Sequence, residues 1–116
     1  MARQSNAGVA VDVYGLPHCT TCQKALAYLR EKGVEVRRFH DVKAEPLSLA
    51  EVEDLAAKVG GADALFSRRA LKYRAMGLHE QTLTDDDLLR LMTEEYTFIT
   101  RPVIVRGNHA TAGFSS

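Results

Sequence analysis

The spacing of apolar residues changes along this chain, and each change predicts a different kind of element. Valines recur at every second position between residues 9 and 14, which is typical of a half-buried strand. A helical stripe follows from about residue 20 to residue 32, and Gly33 is the expected C-terminal stop. Residues 34–39 are again rich in strand-forming residues. Together these segments predict a β-α-β unit with parallel strands and a right-handed crossover.

The middle of the chain has helical periodicity only. Ser48 opens the sequence pattern of a capping box, and the stripe that follows it consists of Leu49, Val52, Leu55, Ala56 and Val59. Ser67 is predicted to cap a short helix that extends to residue 76. Thr84 is predicted to cap a third helix, whose inward-facing residues are Leu88, Leu89, Leu91 and Met92.

The last apolar segments predict a β-hairpin. Residues 102–105 and 109–114 are the two strands, Gly107 and Asn108 supply the turn, and Pro102 opens the first strand, where a missing N–H is tolerated. The fold class is therefore α/β, with a mixed four-stranded sheet. Residues 9–40 and 96–116 form its core, and residues 41–95 form a helical insertion. The 116 residues are expected to form a single domain, with residues 1–8 as a flexible N-terminal tail.

Charge and composition narrow the classes of partner. Fifteen basic residues balance fifteen acidic ones, and attraction to nucleic acid or to an anionic membrane needs surplus positive charge. No apolar run approaches the roughly 18 residues of a membrane span. The N-terminal residues are polar and lack the apolar core of a signal peptide. We therefore expect a cytoplasmic protein with reduced thiols, no direct nucleic-acid partner and no membrane partner.

Cys19 and Cys22 are the only cysteines, and they lie at the predicted start of the first helix. Backbone N–H groups and the helix dipole stabilise a thiolate at that position, so Cys19 is the candidate nucleophile. Cys22 lies one turn into the helix, where it would be more buried and would resolve an adduct by closing an internal disulfide. The alternative interpretation is an inert buried thiol at Cys19 and core packing at Cys22.

Zinc is the other chemistry that a Cys-x-x-Cys pair can support, but zinc normally takes four ligands from Cys and His. The histidines do not form a second ligand pair at suitable spacing; they are His18, His40, His79 and His109. No metal and no cofactor are therefore expected. His18, which precedes Cys19, could polarise that thiol, although an exposed loop residue is the simpler interpretation.

Five stretches of this chain, in this order and spacing, resemble the arsenate reductase (ArsC)/Spx family of thioredoxin-like proteins. They are residues 13–25, 45–48, 66–69, 101–105 and 112–114. The resemblance covers nearly the whole chain and implies a thioredoxin-like fold with a helical insertion. It also implies that the bond before Pro102 is cis, that this proline faces the reactive cysteine, and that Arg101 stabilises its thiolate and binds an oxyanion. Arg68 or Arg69 would assist in binding that oxyanion, although a solvated helix start explains both residues equally well.

Members of this family differ in function, so the resemblance alone implies more than one activity. Glutaredoxin-dependent arsenate reductases typically carry Gly-Thr-Ser-Arg after the nucleophile and an arginine in the final strand region. This chain has Thr20-Thr21-Cys22-Gln23 and no arginine in residues 110–116. Spx-like regulators share the Cys-x-x-Cys switch. Gly61 is chiefly interpreted as a helix stop, but it also lies at the same distance from Ser67 as a glycine on the surface by which Spx proteins contact RNA polymerase. The resemblance thus favours a thiol-disulfide redox protein that is not an efficient arsenate reductase and that uses glutathione, glutaredoxin or thioredoxin as reductant. A redox-sensing regulator that binds the RNA polymerase α-subunit is the alternative.

Overall fold

A computed structural model describes residues 9–114 of the chain. Contacts divide it into two compact units: residues up to Glu45 together with those from Arg101 onward, and Pro46–Thr100. The first unit holds the sheet and the second holds most of the helices. The predictions of a single domain and of an insertion over residues 41–95 stay predictions, and the predicted tail, residues 1–8, lies outside the described residues.

The first unit is a mixed four-stranded sheet in the order β2-β1-β3-β4. Its strands are β1 (Ala10–Gly15), β2 (Glu35–Asp41), β3 (Val103–Arg106) and β4 (His109–Ala112). Strand β1 pairs in parallel with β2 and antiparallel with β3, and β3 pairs antiparallel with β4. The predicted β-α-β unit and the predicted hairpin are both confirmed.

Helix α1 (Thr20–Glu31) packs on one face of this sheet. Its buried residues are Cys22, Ala25 and Leu29, and Leu29 joins Val11 and Val13 in a buried cluster. Every second residue of β1 is buried, as the valine alternation predicts, because α1 covers only one side of a pleated strand. The core under α1 therefore fixes both the end of β1 and the start of the helix.

A buried histidine secures the turn after β2. Nε2 of His40 donates to the main-chain carbonyl of Glu45 over 2.7 Å, and the imidazole stacks on the Tyr14 ring at a centroid distance of 5.1 Å. Arg38 donates to Nδ1 over 3.1 Å. His40 is therefore a satisfied core histidine of the first unit.

The second unit contains helices α2 (Leu49–Val59), α3 (Ala62–Leu65), α4 (Leu71–Ala75) and α5 (Asp85–Glu94). Two short 3-10 turns accompany them, at Leu78–Glu80 and Tyr96–Phe98. The core of the unit is formed by the fully buried side chains of Val52, Leu65, Met92, Phe98 and Ile99. Complete capping boxes start α2 at Ser48 and α5 at Thr84, as the sequence predicts.

The predicted cap at Ser67 is wrong. Helix α4 begins after Ala70, which has no side-chain capping bond. The Ser67 N–H instead donates to the carbonyl of Phe98 over 2.7 Å, beside an antiparallel bridge between Phe66 and Ile99. Pairing with a distant segment holds this stretch extended, and so it overrides the local capping preference.

Two apolar stripes are narrower than predicted. Leu49 is 48% exposed at the start of α2, and Leu89 is only half-buried on α5. Both line an open groove between these helices, together with Glu53, Asp86 and Arg90. The buried positions of the two helices are Val52, Leu55, Ala56, Leu88, Leu91 and Met92.

Candidate redox site

Cys19 is the N-cap residue of α1. The loop before it is held by a bond from the Cys19 N–H to the Leu16 carbonyl, 3.2 Å long, and by one from the Gln23 side-chain amide to the Pro17 carbonyl, 3.1 Å long. With its backbone extended, Cys19 turns its Sγ toward the helix and accepts the backbone N–H of Cys22 over 3.4 Å. A sulfur atom therefore occupies the position where serine or threonine oxygen caps most helices.

Electrostatics at this position favours the thiolate. Burial of the Cys19 sulfur acts to raise the pKa of its thiol. Hydrogen bonds from Cys22 and from the Thr21 N–H, together with the positive charge of Arg101, outweigh that effect and hold the pKa below its usual value. The Cys19 residue is partly exposed, in contrast to Cys22.

Cys22 has the opposite character. Its side chain is 0% exposed, and burial is the first cause that raises the pKa of its thiol to about 11. A hydrogen bond to the Cys19 sulfur and the charge of Cys19 raise it further, while the Leu16 backbone and Arg101 act in the other direction. The same hydrogen bond between the two side chains lowers the pKa of Cys19 and raises that of Cys22. The Cys22 thiol therefore holds its proton more tightly than the Cys19 thiol does.

Gly15 allows Cys22 to pack against the end of β1. A Cβ atom added at Gly15 would lie 2.7 Å from the Sγ of Cys22 and 3.5 Å from the Phe39 ring. Any other residue would push the thiol or the strand away. The alternating valines predict a strand that ends at residue 14, so Gly15 falls outside the predicted strand and this contact was not predicted. A glycine at the end of a strand is the signal that could have pointed to it.

Arg101 and Pro102 precede β3 in the same unit. The peptide bond between them is cis, as the resemblance implies. Pro102 is buried, and its carbonyl accepts the Gly113 N–H over 2.8 Å. The Nε atom of Arg101 is buried, and the charge of this guanidinium lowers the pKa of both cysteine thiols. The structure thus brings Arg101 into electrostatic reach of Cys19 and Cys22.

Arg68 and Arg69 belong to the second unit, before α4. Arg68 forms an ion pair with Asp63 over 2.7 Å and lies over the Phe66 ring, 5.4 Å from its centroid. The hydrogen bond to Asp63 is the main reason that the pKa of Arg68 is raised. Arg69 is exposed. The two neighbours therefore differ in their contacts, and the oxyanion-binding role expected for one of them stays a prediction.

The sequence singles out two further residues, His18 and Gly61. His18 is exposed in the loop before Cys19, and Gly61 starts α3 with a φ of 137°. Within residues 9–114, no three His, Cys, Asp or Glu side chains are grouped so that they could hold a metal ion. No helix of that range is both long and apolar enough to cross a membrane.

The chain is similar to known proteins over most of its length. The sequence model of the ArsC family matches residues 14–116. The uncharacterized protein YusI of Bacillus subtilis (strain 168) is 31% identical over 91% of this chain and 92% of its own length. Global transcriptional regulator Spx 1 of Lactococcus lactis subsp. lactis (strain IL1403) is 28% identical over 90% of this chain and 82% of its own.

A solved structure confirms the fold. The arsenate reductase from Vibrio cholerae superposes with a TM-score of 0.78 at 25% identity, over 92% of this chain and 91% of that one. The chain belongs to the ArsC family, with a thioredoxin-like fold, and is a thiol redox protein of the arsenate reductase/Spx kind.

Proposed function

We propose that this protein exchanges thiols and disulfides with its substrate, with Cys19 as the attacking thiolate and Cys22 as the resolving thiol. The observation that carries the proposal is the bond from the Cys22 N–H to the Cys19 sulfur at the start of α1. The pKa of Cys19 is lowered there while that of Cys22 is raised to about 11. One thiol is thus prepared to attack, and the other keeps its proton.

The reaction balances with a disulfide substrate. The Cys19 thiolate attacks one substrate sulfur, the substrate S–S bond breaks, and the leaving thiolate takes up a proton. Cys22 then gives up its proton and attacks the Cys19 sulfur, which releases the second substrate thiol and leaves a Cys19–Cys22 disulfide. The substrate gains two electrons and the protein loses two. A thiol reductant such as glutathione, glutaredoxin or thioredoxin restores the dithiol.

Arg101 is proposed to stabilise the thiolate and to hold an anionic group of the substrate, with Pro102 lining the same site. Its charge already acts on both thiols in the reduced protein. Arg68 and Arg69 are proposed as further anion-binding residues. The residues after Cys19, Thr20-Thr21-Cys22-Gln23, support weak rather than efficient arsenate reduction, because the arginine typical of the reductases is absent there. The reducing cytoplasm is the proposed compartment.

The pH dependence of alkylation tests the nucleophile. Iodoacetamide should modify Cys19 in a Cys22→Ser variant with an apparent pKa below that of an ordinary thiol, since Thr21, the Cys22 main chain and Arg101 all favour the thiolate. Arg101→Ala should raise that apparent pKa and slow alkylation near neutral pH. Arg106→Ala is the matched control, because Arg106 is exposed at the end of β3. An unshifted pKa in the parent variant would contradict the proposal.

Turnover of a model disulfide tests the second step. With glutathione disulfide as substrate, the wild-type protein should form the internal disulfide and release two thiols. The Cys22→Ser variant should stop as a mixed disulfide with Cys19, which mass spectrometry detects. Glutaredoxin-coupled arsenate reduction at the rate of an authentic family reductase would instead refute the proposed weak arsenate activity.

A second candidate function is redox-dependent regulation of transcription. Relatives named global transcriptional regulator Spx are 26–29% identical to this chain, which favours that function more directly than any single residue does. The proposed surface includes Gly61, and the proposed partner is the RNA polymerase α-subunit. Oxidised and reduced protein should be tested for binding to the C-terminal domain of that subunit. Binding in one redox state only would favour regulation, whereas no binding together with disulfide turnover would favour the enzyme.

A further inference from the structure

A patch of exposed apolar and basic residues covers α4 and its flanks. We call it the α4 patch, and it consists of Arg69, Leu71, Lys72, Arg74 and Met76. Leu71 is 91% exposed and Met76 is 51% exposed, and both are among the few large apolar side chains that the described residues leave open to solvent. A single exposed leucine is common on protein surfaces, but Leu71 lies among exposed basic residues and near a second exposed apolar residue.

The orientation of α4 is set by Tyr73. Its ring meets the edge of the Phe66 ring at a centroid distance of 6.0 Å, and it is the half-buried residue of the helix. At 100° per residue, Leu71 and Ala75 then lie on the opposite side of the helix, while Lys72 and Arg74 lie on its two flanks. The exposed face is therefore an apolar ridge bordered by cations.

The charge of this region is one-sided, although the whole chain is neutral. Residues 67–76 contain four cationic side chains and no acidic one. Asp63 pairs with Arg68 over 2.7 Å, and Glu95 pairs with Lys72 over 2.6 Å. For Arg69 and Arg74, no carboxylate within residues 9–114 lies at ion-pair distance. Positive charge thus remains beside the apolar ridge.

We infer that the α4 patch is a docking surface for an acidic segment of another protein that also carries apolar side chains. The cations match acidic groups in sign, and Leu71 on the ridge, with Met76 on the flank of Lys72, matches apolar ones. A nucleic-acid backbone would use the cations but not the ridge. A membrane surface needs a broad apolar face, and α4 has only five residues. The flexible methionine suits a surface that adapts to a peptide.

Short fluorescein-labelled peptides serve as probes. One alternates Glu and Leu, a second alternates Glu and Ser, and a third alternates Lys and Leu. The Glu-Leu peptide should bind at least about tenfold more tightly than either of the others, because only it matches both charge and apolar contact. Fluorescence anisotropy gives the affinity. Shifts of backbone amide resonances should be confined to residues 69–76 and their immediate neighbours in the second unit.

Two variants separate the charge from the ridge. Arg74→Glu should weaken binding of the Glu-Leu peptide by about tenfold, through like-charge repulsion. Leu71→Ser should weaken it by about threefold to tenfold, and its melting temperature should stay unchanged because Leu71 is 91% exposed. Arg106→Glu is the matched control, since it changes the net charge equally in the other unit and should leave binding unchanged.

Each remaining outcome overturns the inference. Equal affinity of the charge-reversed variant, or amide shifts elsewhere in the chain, would show that the α4 patch is not the surface. Tighter binding of a DNA duplex or of phosphatidylserine vesicles through the same residues would assign it to another class of partner. The inference does not rest on the thiol chemistry, so the same peptides can be tested against Cys19→Ser, which should bind them normally.

Discussion

Helices α1 and α5 both begin with a side chain that accepts the backbone N–H three residues further on, but the capping atoms differ. At α5, the Thr84 hydroxyl accepts the Asp87 N–H over 3.2 Å and the Asp87 carboxylate accepts the Thr84 N–H over 2.9 Å. At α1, the Cys19 sulfur accepts the Cys22 N–H over 3.4 Å, and no side chain returns a bond. Helix α5 thus begins with two hydrogen bonds to side-chain oxygens, and α1 begins with a single longer hydrogen bond to sulfur.

Acidic residues make the same distinction. The first turn of α5 contains Asp85, Asp86 and Asp87, which interact favourably with the positive end of the helix. The pKa of the Asp87 carboxyl is lowered, chiefly by its bond with the Thr84 backbone. The first turn of α1 contains no acidic residue. Its positive end is therefore left to the thiolate. The capping position thus holds a stabilising oxygen in the second unit and a sulfur suited to reaction in the first.

The largest effect is expected from replacing the capping sulfur. Cys19→Ser should abolish disulfide turnover, because a serine hydroxyl does not attack a disulfide at neutral pH. The same change should leave the free energy of unfolding equal or higher by up to about 1 kcal/mol, since oxygen caps a helix better than sulfur. Chemical denaturation and a disulfide-reduction assay give the two readouts. A markedly destabilised variant would show that the sulfur is a structural cap after all.

Gly15→Ala should have the next largest effect, a loss of about 1–3 kcal/mol in the free energy of unfolding through overpacking. The added Cβ would meet the Cys22 sulfur at 2.7 Å. The matched control is the same substitution in a Cys22→Ala background, where the loss should nearly disappear. Equal losses in both backgrounds would mean that the strand end, and not the thiol, requires glycine.

Thr84→Ala should lower the free energy of unfolding by about 1 kcal/mol, because it removes an oxygen cap from α5. The pH dependence of Cys19 alkylation should stay unchanged, since this helix start has no part in the thiol chemistry. Ser48→Ala at α2 is the parallel variant and should behave alike. A change in the apparent pKa of Cys19 in either variant would contradict the separation of the two kinds of helix start.

The smallest effect should come from adding an acid to the first turn of α1. Thr20→Glu should stabilise the helix by about 0.3–1 kcal/mol through the macrodipole. It should also raise the pKa of Cys19 through like-charge repulsion, and thus slow alkylation at neutral pH by about twofold to threefold. Thr20 is exposed, and Thr20→Gln controls for side-chain size. Faster alkylation in the Glu variant would overturn the electrostatic account.

The sequence predicts the elements that depend on local patterns. The alternating valines of β1 and the caps at Ser48 and Thr84 are found where expected, because neighbouring residues alone determine them. Ser67 fails as a cap, since its N–H bonds to Phe98, thirty-one residues away in sequence. Leu49 follows the helical stripe but faces an open groove. Periodicity identifies a face of a helix, and only packing determines how much of that face is buried.

The candidate site, too, could be predicted only where the local sequence determines it. The two cysteines could be recognised because a helix start, which the local sequence pattern predicts, stabilises a thiolate. The contribution of Gly15 could not, because the contact that makes it necessary exists only once β1 and α1 are packed together. Arg101 required the resemblance to a family. Nothing in its sequence neighbourhood indicates that its charge acts on Cys19, 82 positions earlier, and on Cys22, 79 positions earlier.

The raised pKa of the Cys22 thiol affects the step at which this thiol attacks Cys19. In the reduced protein, burial first, and then the sulfur and charge of Cys19, hold its pKa at about 11. Once Cys19 is bonded to a substrate sulfur it carries no charge, so the contribution of that charge to the pKa of Cys22 disappears. Under the proposed chemistry, capture therefore acts to lower the pKa of Cys22, while burial continues to raise it. Cys22 can close the internal disulfide only in the mixed disulfide, because the departing substrate thiol takes up the electron pair of the broken S–S bond. The covalent complex itself therefore starts its own release.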